Sequence, residues 1–169
     1  MSLFAYRYFS KAADMRTLHI IKNNFNMAAK FYTGNIYPST DVIFVFGSNP
    51  EGRHGAGAAR VAHLHFGAIY GIGEGLQGRS YALPTKDLRV TANNGFRSIS
   101  PETITKSIRR LYSTARQHPG KKFMVAYRNT DQRSLNGYTG LEMIRMFLDA
   151  GPIPENIYVS EEWHATGLI

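Results

Sequence analysis

The sequence predicts one α/β domain built around a largely parallel sheet. From Asp41 onward, short apolar runs of strand length alternate with segments whose apolar residues recur at helical spacing, the pattern of helices packed on parallel strands. The chain has 169 residues, 43% of them hydrophobic and 19% charged. These values are typical of a single folded domain and exclude a disordered chain. We assign the domain to residues 30–169 and an N-terminal leader or extension to residues 1–29.

The first half of the domain is predicted to run strand, loop, helix. Residues 42–46 (Val-Ile-Phe-Val-Phe) form an apolar run of the length of a buried strand. The polar, glycine-rich segment 48–55 follows as a loop, and the alanine-rich segment 56–66 is predicted to be helical. Short strands are predicted at 68–70 and 81–83, on either side of a loop with four glycines.

The clearest helix signal begins at Ser100. Serine is a favoured N-cap, proline is tolerated at the first helical position, and Pro101 follows directly. Apolar residues then recur at spacings of four, three and four, which gives the helix one face for the core. The sequence His-Pro-Gly at 118–120 is expected to end it.

The last elements are a strand, a helix and a second strand. Residues 123–127 are predicted to be a strand, and 156–160 are predicted to be the final one. Between them, Thr139 and Glu142 have the spacing of a capping box at the start of a helix. Gly151, followed by proline, is expected to end that helix.

The charge of the chain favours an anionic partner. Twenty lysines and arginines stand against twelve acids, a formal net charge of +8, which is typical of proteins that bind nucleotides or nucleic acids. Five basic residues and one acid lie within the first thirty residues. This leader has the composition of an organellar presequence; the alternative is an extension that packs on the domain.

Several kinds of chemistry are excluded or disfavoured by composition. The chain has no cysteine, which excludes disulfides, thiolate metal sites and cysteine nucleophiles, and agrees with a reducing, cytoplasmic location. No apolar run approaches the roughly 18 residues of a membrane span. His63 and His65 would point apart on a helix, so we predict no metal site and no cofactor. No Gly-x-Ser-x-Gly motif marks a serine hydrolase.

The segment 46–59 is the best candidate for a ligand site. It leaves a strand and opens a helix, where unpaired amides and the positive end of the helix dipole attract anions. It lacks the Gly-Lys-Ser/Thr of a Walker loop, and Arg60 occupies the third glycine position of a Rossmann fingerprint. The alternative is that these glycines and alanines only allow close packing of the helix on the sheet.

A second basic feature lies on the helix that follows Ser100. Its positively charged side chains could follow the phosphates of a nucleic acid, or they could form an ordinary solvated helix face. These residues are Lys106, Arg109, Arg110 and Arg116.

Three motifs, taken in order, resemble a known family. They are Phe-Tyr-Thr-Gly-Asn-Ile at 31–36, Arg-His-Gly-Ala-Gly-Ala-Ala at 53–59 and Tyr-Ala-Leu-Pro-Thr-Lys at 81–86. Together with the Ser100 helix, they resemble a macrodomain, and in particular its terminal ADP-ribose glycohydrolase branch. That branch includes antitoxins that remove ADP-ribose from DNA, and similar small proteins occur in bacteria and phages. The resemblance covers roughly residues 30–160.

The resemblance implies a three-layer α/β/α sandwich with a mostly parallel mixed sheet, and a cleft for ADP-ribose at the carboxyl ends of the strands. Asn35 and Ile36 would lie beside the adenine, where the family usually has Gly-Asp-Ile or Gly-Asp-Leu. Asn35 replaces that acid with a neutral acceptor. The glycine-alanine segment would hold the distal ribose and the diphosphate. Its candidate binding residues are Gly47, Ser48, Asn49, Gly52, His54, Gly55, Ala56 and Gly57.

The same resemblance implies that Lys86 is the catalytic nucleophile. Its uncharged amine would attack the anomeric carbon of the distal ribose and release the modified acceptor. Arg79 and Arg89 are candidate cationic neighbours that would favour the uncharged form. The alternative is a surface lysine that pairs with Asp87 or binds phosphate as a point charge.

The chain departs from the family after the predicted strand 123–127. The family usually has a Gly-Cys-Gly-like loop there with an acid shortly behind, whereas this loop begins Arg-Asn-Thr-Asp. Asp131 is the nearest match to the catalytic acid, and the alternative is a solvated turn residue. Asn129 and Thr130 are candidate binding residues beside it.

Three functions follow from these features. The first is a protein that binds ADP-ribose or a derivative and removes it from a protein or nucleic-acid acceptor. The second is a non-catalytic ADP-ribose-binding module. The third is a basic nucleic-acid-binding protein.

Overall fold

The structure, a computed structural model, describes residues 30–128 and 133–169. These residues form a six-stranded sheet with the strand order β1-β6-β5-β2-β4-β3. The strands are β1 Lys30–Tyr32, β2 Val42–Ser48, β3 Gly75–Gln77, β4 Ser80–Pro84, β5 Lys122–Val125 and β6 Ile157–Ser160. Every neighbouring pair is parallel except β3 and β4. The predicted α/β class with a mostly parallel mixed sheet is therefore confirmed.

Three α-helices and two short 3₁₀ turns accompany the sheet in the described residues. The helices are α1 Gly57–His65, α2 Pro101–Gln117 and α3 Gly140–Asp149, and the 3₁₀ turns are Ala92–Gly95 and Glu161–Thr166. None of the helices in residues 30–128 and 133–169 is long and apolar enough to cross a membrane. The predicted leader, residues 1–29, lies outside the described residues.

The core lies on both faces of the sheet, and β2 contributes to both. Ile43 and Val45 belong to a cluster that includes buried residues of α2 and α3. Phe44 and Phe46 belong to a second cluster with Ala59 and Ala62 of α1. A strand covered on both faces needs apolar residues at every position rather than at alternate ones. This requirement explains the uninterrupted apolar run of β2.

The predicted caps of α2 and α3 are confirmed. The Thr103 amide donates to the Ser100 hydroxyl at 3.3 Å, and Pro101 begins α2. At α3, the Glu142 amide donates to the Thr139 hydroxyl at 3.2 Å, and the Thr139 amide donates to the Glu142 carboxylate at 2.9 Å. Each cap satisfies amides that the first turn of a helix leaves without partners.

Two strand predictions need correction. Residues 68–70 do not form a strand; the Ile69 amide instead donates to the side-chain oxygen of Gln77 at 2.6 Å. The strand lies later, at 75–77, inside the predicted glycine loop, where it pairs antiparallel with β4. Strand β5 also ends at Val125 rather than at residue 127. Strand pairing between distant or glycine-rich segments is decided by tertiary contacts rather than by local propensity.

Candidate functional site

A cleft of about 670 Å³ opens at the carboxyl ends of β2, β4 and β5. It is lined by residues that follow these three strands, by the first turn of α1 and by the start of α3. In α/β folds with parallel strands, ligands bind at this edge of the sheet. The volume lies within the range of about 300–1,000 Å³ that is usual for small-molecule sites.

The cleft brings together seven of the eleven predicted site residues that the structure describes. Those that line it are Gly47, Ser48, Asn49, Gly55, Ala56, Gly57 and Lys86. Asn35, Ile36, Gly52 and His54 do not line it. Asn129, Thr130 and Asp131 lie outside the described residues, and their roles stay predictions.

Asn49 sets the shape of the loop that leads from β2 to α1. Its side-chain amide donates to the Arg53 carbonyl at 2.7 Å, and its side-chain oxygen accepts from the Arg53 amide at 2.8 Å. Because both polar groups of Asn49 are used within the loop, its side chain holds the loop closed. Asn49 thereby presents Arg53, whose exposed side chain lines the cleft.

Gly52 and His54 pack against the backbone of residues 69–72, which follow α1. Gly52 has a φ of 65° and lies against the backbone of Gly71 and Ile72, so that any side chain would collide there. The His54 ring is fully buried, with Nε2 at 3.0 Å from the Ile69 carbonyl and 3.2 Å from that of Ile72. Both residues attach the loop to the following segment rather than facing the cleft.

The first turn of α1 lines the cleft and is uncapped. Ala56 is the N-cap with extended backbone (φ −145°), and the first turn contains no acid. No side chain among the described residues accepts from the first amides. By contrast, the side chains of Ser100 and Thr139 accept hydrogen bonds from the first-turn amides of α2 and α3. Unpaired amides and the positive end of the helix dipole therefore lie at the cleft, where an anion would be stabilised.

The charge of the cleft agrees with an anionic ligand. Arg53, Lys86 and Arg128 line it, and no described lining residue is acidic. Arg128 also donates to the Gly34 carbonyl at 2.6 Å and lies 3.4 Å from the Glu162 carboxylate. The Gly34 contact attaches the predicted adenine segment to the cleft rim, although Asn35 itself is exposed.

Lys86 has no ion pair in the described part of the chain. Its ammonium nitrogen lies 5.4 Å from the centroid of the Phe96 ring. Asp87, the predicted alternative partner, instead pairs with Arg89 at 2.7 Å, and this contact holds the pKa of Asp87 well below its usual range. The two predicted cationic neighbours have other partners, since Arg89 also contacts Glu51 at 3.2 Å and Arg79 donates to the His65 carbonyl at 3.3 Å.

Tyr127 is a cleft residue that the sequence analysis missed. Its hydroxyl lies 3.2 Å from the Thr85 hydroxyl and occupies the space where a side chain on Gly47 would be. Burial raises the pKa of Tyr127 to about 12, so the hydroxyl is neutral at physiological pH. No sequence motif marks this residue, because its contacts come from Gly47 on β2 and from Thr85, which directly follows β4.

The free energy of unfolding at high pH should depend on the ionisation of two buried tyrosines. Burial raises the pKa of both Tyr127 and Tyr32 to about 12 from an ordinary value of 10.0. Their contribution to stability is fully present below pH 10 and is lost between pH 10 and about 12, because only the unfolded state ionises freely there. We expect the free energy of unfolding, measured by urea titration, to fall across this range. The fall should be smaller in Tyr127→Phe; an identical fall would contradict the burial of its hydroxyl.

Most of the basic side chains on α2 bind other groups of the same protein. Arg109 donates to the Asp149 carbonyl at 3.3 Å, and Arg116 donates to the Pro152 carbonyl at 3.1 Å. Arg110 pairs with Glu74 at 2.6 Å. Three of the four side chains proposed to follow phosphates thus have internal partners.

His63 of α1 contacts the backbone of the segment that follows the helix. The His63 ring donates to the Ala68 carbonyl at 2.8 Å. Among the residues that the structure describes, no group of three potential ligand side chains could hold a metal ion.

A scan against protein-family models finds no match to this chain, and a search of curated proteins finds none either. The functional interpretation therefore depends on the geometry of the cleft and on the chemistry of its lining residues.

Proposed function

We propose that the cleft binds ADP-ribose and that the protein hydrolyses ADP-ribosyl bonds to a protein or nucleic-acid acceptor. The observation that carries the proposal is that the uncapped first turn of α1 and Lys86 line one cleft. A diphosphate needs donors and positive charge, and an anomeric carbon needs a nucleophile. Groups of both kinds line the same cleft, which supports the proposal.

The diphosphate would lie against the amides that begin α1. Glycine at 55 and 57 allows a ligand to approach the backbone closely, and Arg53 adds a positive charge at the same end of the cleft. The adenine would extend toward Gly34, which the Arg128 guanidinium contacts. Asn35, next in the chain, could accept a hydrogen bond from the adenine amino group.

Lys86 would act on the distal ribose. The Lys86 ammonium first gives up a proton to water. Its uncharged nitrogen then forms a bond to the anomeric carbon as the bond from that carbon to the acceptor breaks, and the acceptor leaves with the electron pair and takes up a proton. Water then cleaves the sugar–lysine adduct, which releases ADP-ribose and regenerates the amine.

The proton for the leaving acceptor would come from Asp131. That residue lies outside the described residues, and the described lining residues include no carboxylate. If Asp131 does not reach the cleft, ADP-ribose binding survives without efficient turnover. The second candidate, a non-catalytic binding module, depends on this point.

Ala56→Asp tests the binding proposal. An aspartate at this exposed N-cap would accept from the free amides of α1, which should stabilise the protein by about 1 kcal/mol. The same carboxylate would occupy and repel the anion site. We expect ADP-ribose affinity, measured by calorimetric titration, to fall about 10- to 100-fold. A loss of this size is expected when the hydrogen bonds from the α1 amides to the charged diphosphate are removed.

Ala56→Asn is the matched control, because it caps the helix without a charge. It should stabilise the protein similarly and weaken binding less than the aspartate does. Ala56 is preferable to Gly57, whose φ of 53° would strain any side chain. No heat from wild-type protein at millimolar ADP-ribose would contradict the proposal, and salt-sensitive DNA binding in its place would favour the nucleic-acid alternative.

A further inference from the structure

The turn that follows Lys86 in the chain has an unusual backbone. Asn93, Asn94, Gly95 and Arg97 all have positive φ, of 50°, 56°, 67° and 57°. Glycine adopts this conformation freely and asparagine tolerates it, but arginine does so rarely. Such a turn persists only when its surroundings hold it.

Arg97 shows what holds the turn in place. Its amide donates to the Asn136 carbonyl at 2.8 Å, and its guanidinium pairs with Glu142 at 2.8 Å. The guanidinium also lies 4.8 Å from the centroid of the Tyr138 ring. Asn136 and Tyr138 line the cleft, so the turn is attached to the cleft wall.

Gly95 makes room for the Lys86 side chain. A Cβ at this position would lie 2.9 Å from Cε of Lys86 and 2.8 Å from the Val90 carbonyl oxygen. These distances are shorter than any ordinary carbon contact. The stem of Lys86 therefore passes directly over a backbone position that only glycine can occupy without displacing it.

Phe96 holds the end of the same side chain. Its ring centroid lies 5.4 Å from Nζ of Lys86, a distance at which a cation is attracted to an aromatic face. Phe96 is itself packed against Gly137, where a Cβ would lie 2.6 Å from Cβ of Phe96. The ring is therefore fixed by the same wall that holds Arg97.

We propose that Gly95 and Phe96 are positioning residues that hold the amine of Lys86 in the cleft. This inference rests on the proposed function for its catalytic consequence, but the contact itself does not require ADP-ribose. Lysine has a long, flexible stem, and a nucleophile that is held near its target reacts faster than one that samples many rotamers. The turn restrains the stem beside Gly95 whatever the charge of the amine, and the Phe96 ring attracts the protonated form that precedes loss of the proton.

The test compares Phe96→Leu with Phe96→Tyr. Leucine preserves bulk but removes the aromatic face, whereas tyrosine retains it. The first readout needs no ligand: limited labelling with an amine-selective reagent, with Lys86 quantified by mass spectrometry relative to exposed Lys106. We expect labelling of Lys86 to rise about two- to five-fold in Phe96→Leu, because this ratio corresponds to the free energy of one exposed cation–π contact. In Phe96→Tyr the labelling should return to the wild-type ratio.

The second readout is ADP-ribose release. In Phe96→Leu we expect the release rate to fall about ten-fold while the dissociation constant of ADP-ribose changes less than two-fold, because positioning affects the reaction rather than binding. Gly95→Ala would displace the stem, but a φ of 67° and the 2.8 Å approach of its Cβ to the Val90 carbonyl oxygen would also strain the turn, so the two Phe96 variants carry the test. Phe96→Tyr should restore the rate.

Tyr158→Leu is the control for a cation–π contact elsewhere, since Lys30 lies 5.6 Å from the centroid of that ring. It should raise labelling of Lys30 alone. A Lys86 ratio in folded Phe96→Leu within the error of wild type would overturn the inference, as would faster release by that variant. If wild type does not release ADP-ribose, the proposed function fails, and the labelling ratio still decides the positioning role.

Discussion

Lys86→Ala should abolish release of ADP-ribose from an ADP-ribosylated acceptor. Removing a nucleophile eliminates the covalent step, and losses of this kind are about 10³-fold or more. Affinity for ADP-ribose should change less than about ten-fold, because one partly exposed charge contributes less than 1.4 kcal/mol to binding. The measurement is release of labelled ADP-ribose from modified protein and modified DNA, together with calorimetric titration.

Lys86→Arg is the matched control for this variant. It retains a positive charge in the cleft but has no nucleophilic amine, since a guanidinium does not lose its proton in this pH range. We expect it to be as inactive as Lys86→Ala while binding ADP-ribose at least as well. Equal release by wild type and Lys86→Ala would remove Lys86 from the mechanism, and full activity of Lys86→Arg would assign it an electrostatic role instead.

Trp163→Ala should cause the largest loss of stability. Trp163 is 0% exposed, its ring contacts Phe147 edge-on at 5.4 Å between centroids, and its indole N–H donates to the Tyr127 carbonyl at 2.9 Å. Replacing a buried tryptophan with alanine leaves a large cavity and costs about 3–5 kcal/mol. Because domains of this size are stable by only about 5–15 kcal/mol, much of the folded population should be lost under mild denaturing conditions.

Trp163→Phe separates packing from the hydrogen bond. It retains an aromatic ring but leaves the Tyr127 carbonyl without its donor, so we expect a smaller loss of about 1–3 kcal/mol. Because the chain has one tryptophan, unfolding is followed by far-ultraviolet circular dichroism in urea rather than by fluorescence. A loss below about 1 kcal/mol in Trp163→Ala would contradict a tightly packed ring.

Trp163 also links the chain's last turn to the cleft. Its indole N–H donates to the carbonyl of Tyr127, which lies two residues after the end of β5 and lines the cleft. A partial loss of ADP-ribose affinity in Trp163→Phe would therefore accompany its lower stability. No role was assigned to Trp163 from sequence, because its partners, Tyr127 after β5 and Phe147 on α3, are remote from it in the chain.

The elements that were predicted correctly from sequence depend on interactions between residues that are close together in the chain. The apolar run of β2, the serine cap of α2 and the capping box of α3 involve residues within one element, and all three are present. The misplaced strand at 68–70 shows the limit of this reasoning. Its apolar character is local, but pairing is decided by which segment reaches the edge of β4, and that is β3.

The candidate site also has some features that were predicted in advance and others that only the structure shows. The family resemblance, rather than residue spacing, implied that the residues after β2 and Lys86 after β4 would face a common cleft, and these residues do line one cleft at the carboxyl ends of the strands. It did not distinguish Gly55, which lines the cleft, from its neighbour His54, whose ring is buried beneath the loop. That distinction depends on where the backbone turns, which spacing alone does not determine.

By itself, the sequence determined the α/β class, the helix caps and the loop at the end of β2, because periodicity and capping act over a few residues. Only the tertiary structure decided the sheet order, the pairing of Asp87 with Arg89 and the contact of Phe96 with Lys86. The Arg128–Gly34 hydrogen bond joins residues 94 positions apart. Contacts of that kind depend on how the whole chain packs, and they set the shape and charge of the cleft.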